Sequence, residues 1–207
     1  MKKKQIFSIQ DVEILDNKTC YSGFLSIDRL KLRHRLFEGG WSGEFSRELM
    51  RRAPGVGVLL YDPDLDKVIL VEQFRVGCLD NEAGPWVLEL VAGIVEDQES
   101  VTDVAIREAR EEANLEIGAV IPVSEYYNSP GGSNEKLSVF CARADAAKAE
   151  GVFGLKDESE DIRTVVLTRK EAEEAVRTGR INNAMCIIAI QWLSLNLTEV
   201  RELLRSS

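Results

Sequence analysis

The chain has 207 residues and a formal net charge of −9, enough for one sizeable core or one core plus a modest subdomain. The acidic balance argues against a surface that grips nucleic acid through its phosphates, but not against a small phosphorylated substrate, because a bound cation inverts the local field. No apolar run has the length of a membrane span, and Cys20, Cys78, Cys141 and Cys186 are scattered around a single histidine, His34, so a Cys/His zinc site is not expected.

The opening MKKKQIFSIQ has lysines but no apolar stretch after them, so no signal peptide is expected, and a protein of the reducing cytoplasm fits best. Val12 and Ile14 alternate near the end of Ile9–Leu15, and Asp16-Asn17 reads as a turn. From Thr19 to Phe37 apolar and basic residues interleave, as in an exposed antiparallel ribbon. Gly39-Gly40 breaks the pattern, and Glu44–Arg52 reads as a third strand. Such a sheet has too little core to stand alone, and packing on a second subunit is one way to bury it. Residues 1–53 are therefore read as an N-terminal β subdomain and 54–207 as the main domain.

Val56–Leu60 and Val68–Val71 are apolar runs joined by a hairpin-like connection, Tyr61–Asp66. Trp86–Val91 is a strand that delivers Ala92-Gly93 to a helix. That helix is capped by Ser100, with Asp103 at capping-box spacing, and buries Val101, Val104, Ala105 and Ala109. Ile117–Val123 and Leu137–Ala142 read as strands on either side of the loop SPGGSNE. Ala146–Glu160 reads as a long, mobile loop, and Asp161–Leu167 as a strand. Lys170–Thr178 is a short helix stopped by Gly179. Asn183–Leu204 reads as one longer helix, packing Met185, Ile188, Ala189, Trp192, Leu193 and Leu197 inward. Strands, a helix, strands and then helices argue for a mixed sheet flanked by helices.

Chemistry concentrates in GIVEDQESVTDVAIREAREEANL, from Gly93 to Leu115. Glu108 and Glu112 are i,i+4 neighbours with Glu111 beside them, and like charges at that spacing repel. Arg107 answers only part of this charge. A divalent cation is the natural compensation: Mg²⁺ takes oxygen ligands from a few carboxylates and keeps positions for water and phosphate. The segment Val91–Gly93 lies close enough to add a backbone carbonyl.

The spacing of Gly93, Glu99, Arg107-Glu108 and Glu111-Glu112 resembles the Nudix box, with Asn114 where glycine is usual and the small Ala109 at an apolar position. Asparagine also accepts a left-handed helix stop. The resemblance implies an α+β fold: a Nudix-type α/β/α sandwich with a curved mixed sheet, plus the small N-terminal antiparallel sheet. It also implies the carbonyl of Ala92 as a metal ligand, with Glu108, Glu111 and Glu112, and Mg²⁺ as cofactor with Mn²⁺ as a possible substitute. Tyr21–Phe37, Ser46-Arg47-Glu48, Val71–Arg75, Leu88–Gly93, Ser129–Gly132 with Glu135, and Asp157–Arg163 extend it to the family's ADP-ribose-hydrolysing members, which are homodimers with a swapped N-terminal sheet.

That wider resemblance implies Mg²⁺-dependent cleavage of ADP-ribose to AMP and ribose 5-phosphate. Arg47 and Arg75 are implied substrate contacts, in keeping with a guanidinium's fit to phosphate oxygens and to a base. Phe24, from the partner subunit, and Leu25 would face the adenine, while Glu48, Arg52, Ile94, Ser129, Pro130, Gly131 and Glu135 line the remainder. Glu158 is the implied general base and Glu160 a further metal ligand. Two alternatives stay open: another nucleoside diphosphate sugar such as GDP-mannose, or a non-catalytic module that senses ADP-ribose. The second normally loses a box acid, and here all three are present.

Overall fold

The computed structural model describes residues 7–155 and 159–205. The chain divides into two compact units, one comprising residues up to Ala53 together with Tyr127–Glu135, the other Pro54–Tyr126 and the chain from Lys136 onward.

In the first unit β1 (Val12–Ser22), β2 (Ser26–His34) and β3 (Phe45–Arg51) form an antiparallel sheet in that order. The predicted turn at Asp16-Asn17 is absent. β1 runs straight through it, with a register shift between Ile14 and Asp16, and Asp16 and Asn17 stand opposite Lys31 and Leu30. The irregularity falls at Leu15, and the polar pair itself continues the ladder; the reversal comes later, at Gly23–Leu25. Buried Asp28 ties the three strands together, accepting from Thr19 Oγ1 at 2.8 Å on β1 and from Arg51 Nε at 2.9 Å on β3. The 127–135 segment joins this sheet through the Met50 amide, which donates to the Gly132 carbonyl at 2.8 Å, and through Asn134, which exchanges hydrogen bonds with the Arg52 backbone.

The second unit holds a sheet in the order β10-β11-β5-β4-β9-β8. Its strands are β4 (Gly55–Asp62), β5 (Lys67–Phe74), β6 (Trp86–Glu89), β7 (Val91–Ile94), β8 (Val120–Tyr127), β9 (Lys136–Arg143), β10 (Val152–Phe153) and β11 (Ile162–Thr168). β4 lies parallel to β9 and antiparallel to β5, so the sheet is mixed, as expected. Alternate residues of β4 and β5 go to opposite sides. Val58, Leu60, Ile69 and Val71 join Val104, Ala105 and Ala109 of α1 (Val101–Ala113). Leu59, Tyr61, Val68 and Leu70 pack with α2 (Arg169–Thr178), α3 (Ala184–Leu195) and α4 (Leu197–Arg205). With both faces covered, the central stretches, Val56–Tyr61 of β4 and Val68–Val71 of β5, are apolar or glycine.

Four elements depart from the sequence reading. The strand expected over Trp86–Val91 is two strands, because at Leu90 the chain leaves β5 for β4: β6 pairs with the end of β5, and β7 with the first half of β4. The strand expected at Ile117–Val123 begins at Val120 and runs to Tyr127, while Ile117 packs into the core without pairing. The Ala146–Glu160 stretch is not all loop, since Val152 and Phe153 pair with β11. The single helix Asn183–Leu204 breaks at Asn196, whose amide and Nδ2 both donate to the Trp192 carbonyl; a short amide side chain competes with the helical ladder in this way. No helix among the described residues is long and apolar enough to cross a membrane.

Candidate active site

Helix α1 begins where Ser100 Oγ accepts from the Asp103 amide at 3.1 Å and ends at Asn114, whose φ of +52° and ψ of +37° are left-handed. The expected stop is thus made by asparagine in the role usually filled by glycine. Between these caps, Ala105, Ala109 and Ala113 face the core and hold the helix close to the sheet. Glu108 and Glu112, one turn apart, are carried against β7.

There the backbone meets the carboxylates directly. The Ala92 amide donates to Glu112 Oε2 at 3.0 Å. Glycine at position 93 gives Glu108 its place, because a Cβ there would stand 1.6 Å from Glu108 Oε1 and 2.6 Å from its Cγ, and would displace that side chain. Arg107 spreads one guanidinium over three acids: both Glu99 oxygens at 3.0 and 3.1 Å, Glu108 Oε1 at 2.7 Å and Glu111 Oε2 at 3.0 Å. It also donates to the Ile94 carbonyl at 3.4 Å. Glu112, only 2% exposed, is held by the Ala92 amide instead.

The electrostatics follow from this arrangement. Burial pushes the Glu112 carboxyl up to about 8; the Ala92 amide opposes the shift, the charges of Glu108 and Glu160 add to it, and Arg75 opposes it. Burial also raises Glu108, against the pull of Arg107 and with the push of Glu111 and Glu160. The Arg107 guanidinium, hydrogen-bonded first to Glu99 and then to its box neighbours, is held firmly in its charged form. Negative charge in this corner exceeds what the chain supplies to balance it. The donors are hard oxygens on one helical turn beside a backbone strand, which suits Mg²⁺ or a similar cation. Among the described residues no three acidic, cysteine or histidine side chains converge on one point; Arg107 holds Glu108 and Glu111.

Glu160 is carried to the same corner. The Gly154 amide donates to the Glu111 carbonyl at 3.4 Å, the Leu155 amide donates to Glu160 Oε2 at 3.0 Å, and the Glu160 amide donates back to the Leu155 carbonyl at 3.2 Å. Arg75, just past β5, donates through Nε to Glu89 Oε2 of β6 at 2.6 Å. Ala92, Glu108, Glu111, Glu112, Glu160, Arg75 and Ile94 all belong to the second unit. Glu158 lies outside the described residues.

The other expected site residues belong to the first unit. Phe24 and Leu25 form the tip between β1 and β2, where Phe24 is 90% exposed. On β3, Arg47 stacks its guanidinium 4.7 Å from the Phe45 ring centroid, and Glu48 accepts from Arg29 at 3.1 Å. Arg52 and Glu135 are brought together in an ion pair of 3.0 Å. Ser129, Pro130 and Gly131 make a turn in which the Ser129 carbonyl accepts from the Gly132 and Ser133 amides. Two positioning acids were not singled out as site residues from the sequence. Glu99 is part of the box spacing itself, whereas Glu89 is visible only once β5 and β6 are paired.

The NUDIX domain profile matches residues 51–186. The ADP-ribose pyrophosphatase of Escherichia coli (strain K12) is 46% identical over 190 residues, covering 92% of this chain and 91% of that protein. The ADP-ribose pyrophosphatase of Haemophilus influenzae is 40% identical over 205 residues, covering 98% and 94%. A GDP-mannose pyrophosphatase of Cronobacter sakazakii is 36% identical over 152 residues, covering 72% and 78%. A solved structure described as an ADP compounds hydrolase superposes with a TM-score of 0.71 at 20% identity, covering 94% of this chain and 98% of that one, a likeness of fold. With its acidic helical turn set against β7 and the profile spanning well over half its length, the chain belongs to the Nudix family.

Proposed function

We propose that this chain is a pyrophosphohydrolase that cleaves ADP-ribose to AMP and ribose 5-phosphate with a divalent cation, Mg²⁺ first and Mn²⁺ as a substitute. The observation that carries the reading is the buried Glu112 beside Glu108, both pressed onto the Ala92-Gly93 backbone. The greater identity and coverage of the ADP-ribose pyrophosphatases, compared with the GDP-mannose enzyme, favour ADP-ribose as the substrate.

Glu108, Glu112, Glu111, Glu160 and the Ala92 carbonyl are the residues that would hold the cation. When bound, it neutralises the diphosphate oxygens and polarises phosphorus towards water. Arg75 and Arg47 pair with phosphate oxygens or stack on the base. Arg52, Glu48, Leu25, Ile94, Glu135 and the Ser129–Gly131 turn line the ligand, and Phe24 of a second copy covers the adenine. Glu158 takes the proton from the attacking water. The assembly is a homodimer through the N-terminal sheet, and the four free thiols suit the reducing cytoplasm.

Incubation with ADP-ribose and Mg²⁺ in ¹⁸O-labelled water tests the reading. AMP and ribose 5-phosphate should appear, with label on one of them; intact substrate would refute it. Side-by-side turnover of ADP-ribose, ADP-glucose and GDP-mannose ranks the sugars. Glu158→Gln should cut turnover by about 10²-fold or more and leave Mg²⁺ affinity in place; an unchanged rate would move the base elsewhere.

A further inference from the structure

Strand β5 alternates cleanly: Ile69 and Val71 face α1, while Val68 and Leu70 face α2 and α3. Glu72 continues the second series, and its carboxylate accepts from Arg163 and Arg180. Gln73 continues the first series, so it lies on the α1 side. There it is 5% exposed, and its Nε2 is fully enclosed without a hydrogen-bond partner among the described residues. An enclosed donor left unpaired is costly, and buried polar groups in folded proteins are rarely left so. Valine or isoleucine would fit the strand better at this position unless an acceptor arrives from elsewhere.

The surroundings say what kind of acceptor. Two residues along the same face comes Arg75, held by Glu89. On the neighbouring strand Arg163 stands opposite Glu72, which brings Gln73 to the start of β11, just after Glu160. Arg75 and Glu160 both act electrostatically on Glu112, so the chain segments that flank Gln73 on β5 and β11 border the acidic corner. We infer that Gln73 is a substrate-binding residue: its carboxamide donates to a diphosphate oxygen of the nucleoside diphosphate sugar. This rests on the functional reading above. A neutral donor is suited to the place, since it binds an anionic oxygen without competing with a cation for the carboxylates. A trapped water would satisfy the same atom equally with and without ligand, and so would leave ligand affinity independent of Gln73.

The test is calorimetry of the non-hydrolysable α,β-methylene analogue of ADP-ribose, with Mg²⁺, on wild type and Gln73→Met, an unbranched replacement of similar length. The variant should bind the analogue about tenfold more weakly or worse, bind Mg²⁺ alone as wild type does, and melt no lower without ligand. Equal analogue affinity in the two proteins overturns the inference while leaving the functional reading intact; a wild type that does not bind the analogue overturns both. Independently of any variant, the Gln73 side-chain amide protons of the wild type should shift on adding the analogue, and unmoved resonances also overturn the inference.

Discussion

Glu112 shows how much one buried acid asks of its neighbours. Its carboxyl is raised from 4.5 to about 8, so between those values the folded state holds a proton that the unfolded state has released. Metal-free stability should therefore fall as pH rises through that window. Glu112→Gln should flatten that fall in thermal melts run with chelator, and should melt no lower than wild type at pH 8. The same variant should lose more than the 10–100-fold in turnover that a merely outer-sphere partner of a metal commands. Legibility at this scale was uneven. Glu108, Glu111 and Glu112 were plain because one helical turn fixes their spacing. Glu89 and Gln73 were not, because their roles depend on β5 pairing with β6 and on which side of β5 each residue falls. Phe24, proposed to cover the adenine, is a bare ring at a hairpin tip. Base stacking on an aromatic is worth about 1–3 kcal/mol, so Phe24→Ala should raise the KM for ADP-ribose by about tenfold to a hundredfold in steady-state assays, with little change in melting.

At the scale of elements, the stop of α1 is a single left-handed residue, Asn114. Glycine there should be tolerated, whereas Asn114→Ala should cost about 1 kcal/mol in urea unfolding, because a Cβ without a helpful polar group disfavours that conformation. β11 is fastened by Glu72, which takes hydrogen bonds from Arg163 and from Arg180 beyond α2. Burial alone would raise the Glu72 carboxyl, but the two arginines outweigh it and hold it below its ordinary value. The stabilisation is therefore present above about pH 4.5 and lost as pH falls through the lowered folded value. Glu72→Gln should cost about 1–3 kcal/mol near neutrality, and the gap from wild type should close in acid. Elements with clean periodicity, such as α1, α2, β4 and β5, were legible from sequence. The break at Asn196 was hidden because Leu193, Leu197 and Val200 keep an apolar rhythm across it, and the β6–β7 change of partner was hidden inside one continuous apolar run.

For the whole molecule, the sequence pattern pointed to a mixed sheet between helices, and the family resemblance named it. The homodimer proposed here should sediment at twice the 23.1 kDa chain mass, and removing the N-terminal strands should abolish that association. One feature of the large sheet bears on how such a catalyst diversifies. β6 lies along β5 and β7 along β4, and enclosed Leu90 is the only residue between them. The arginine–glutamate pair hangs from one arm of that fork, and the acids of α1 rest on the other. Leu90 itself packs on the far side of the sheet, in the cluster that faces α2, α3 and α4. A change of packing behind Leu90 would therefore move one arm against the other, and would offer a route to a bulkier sugar without substituting any residue of the proposed site.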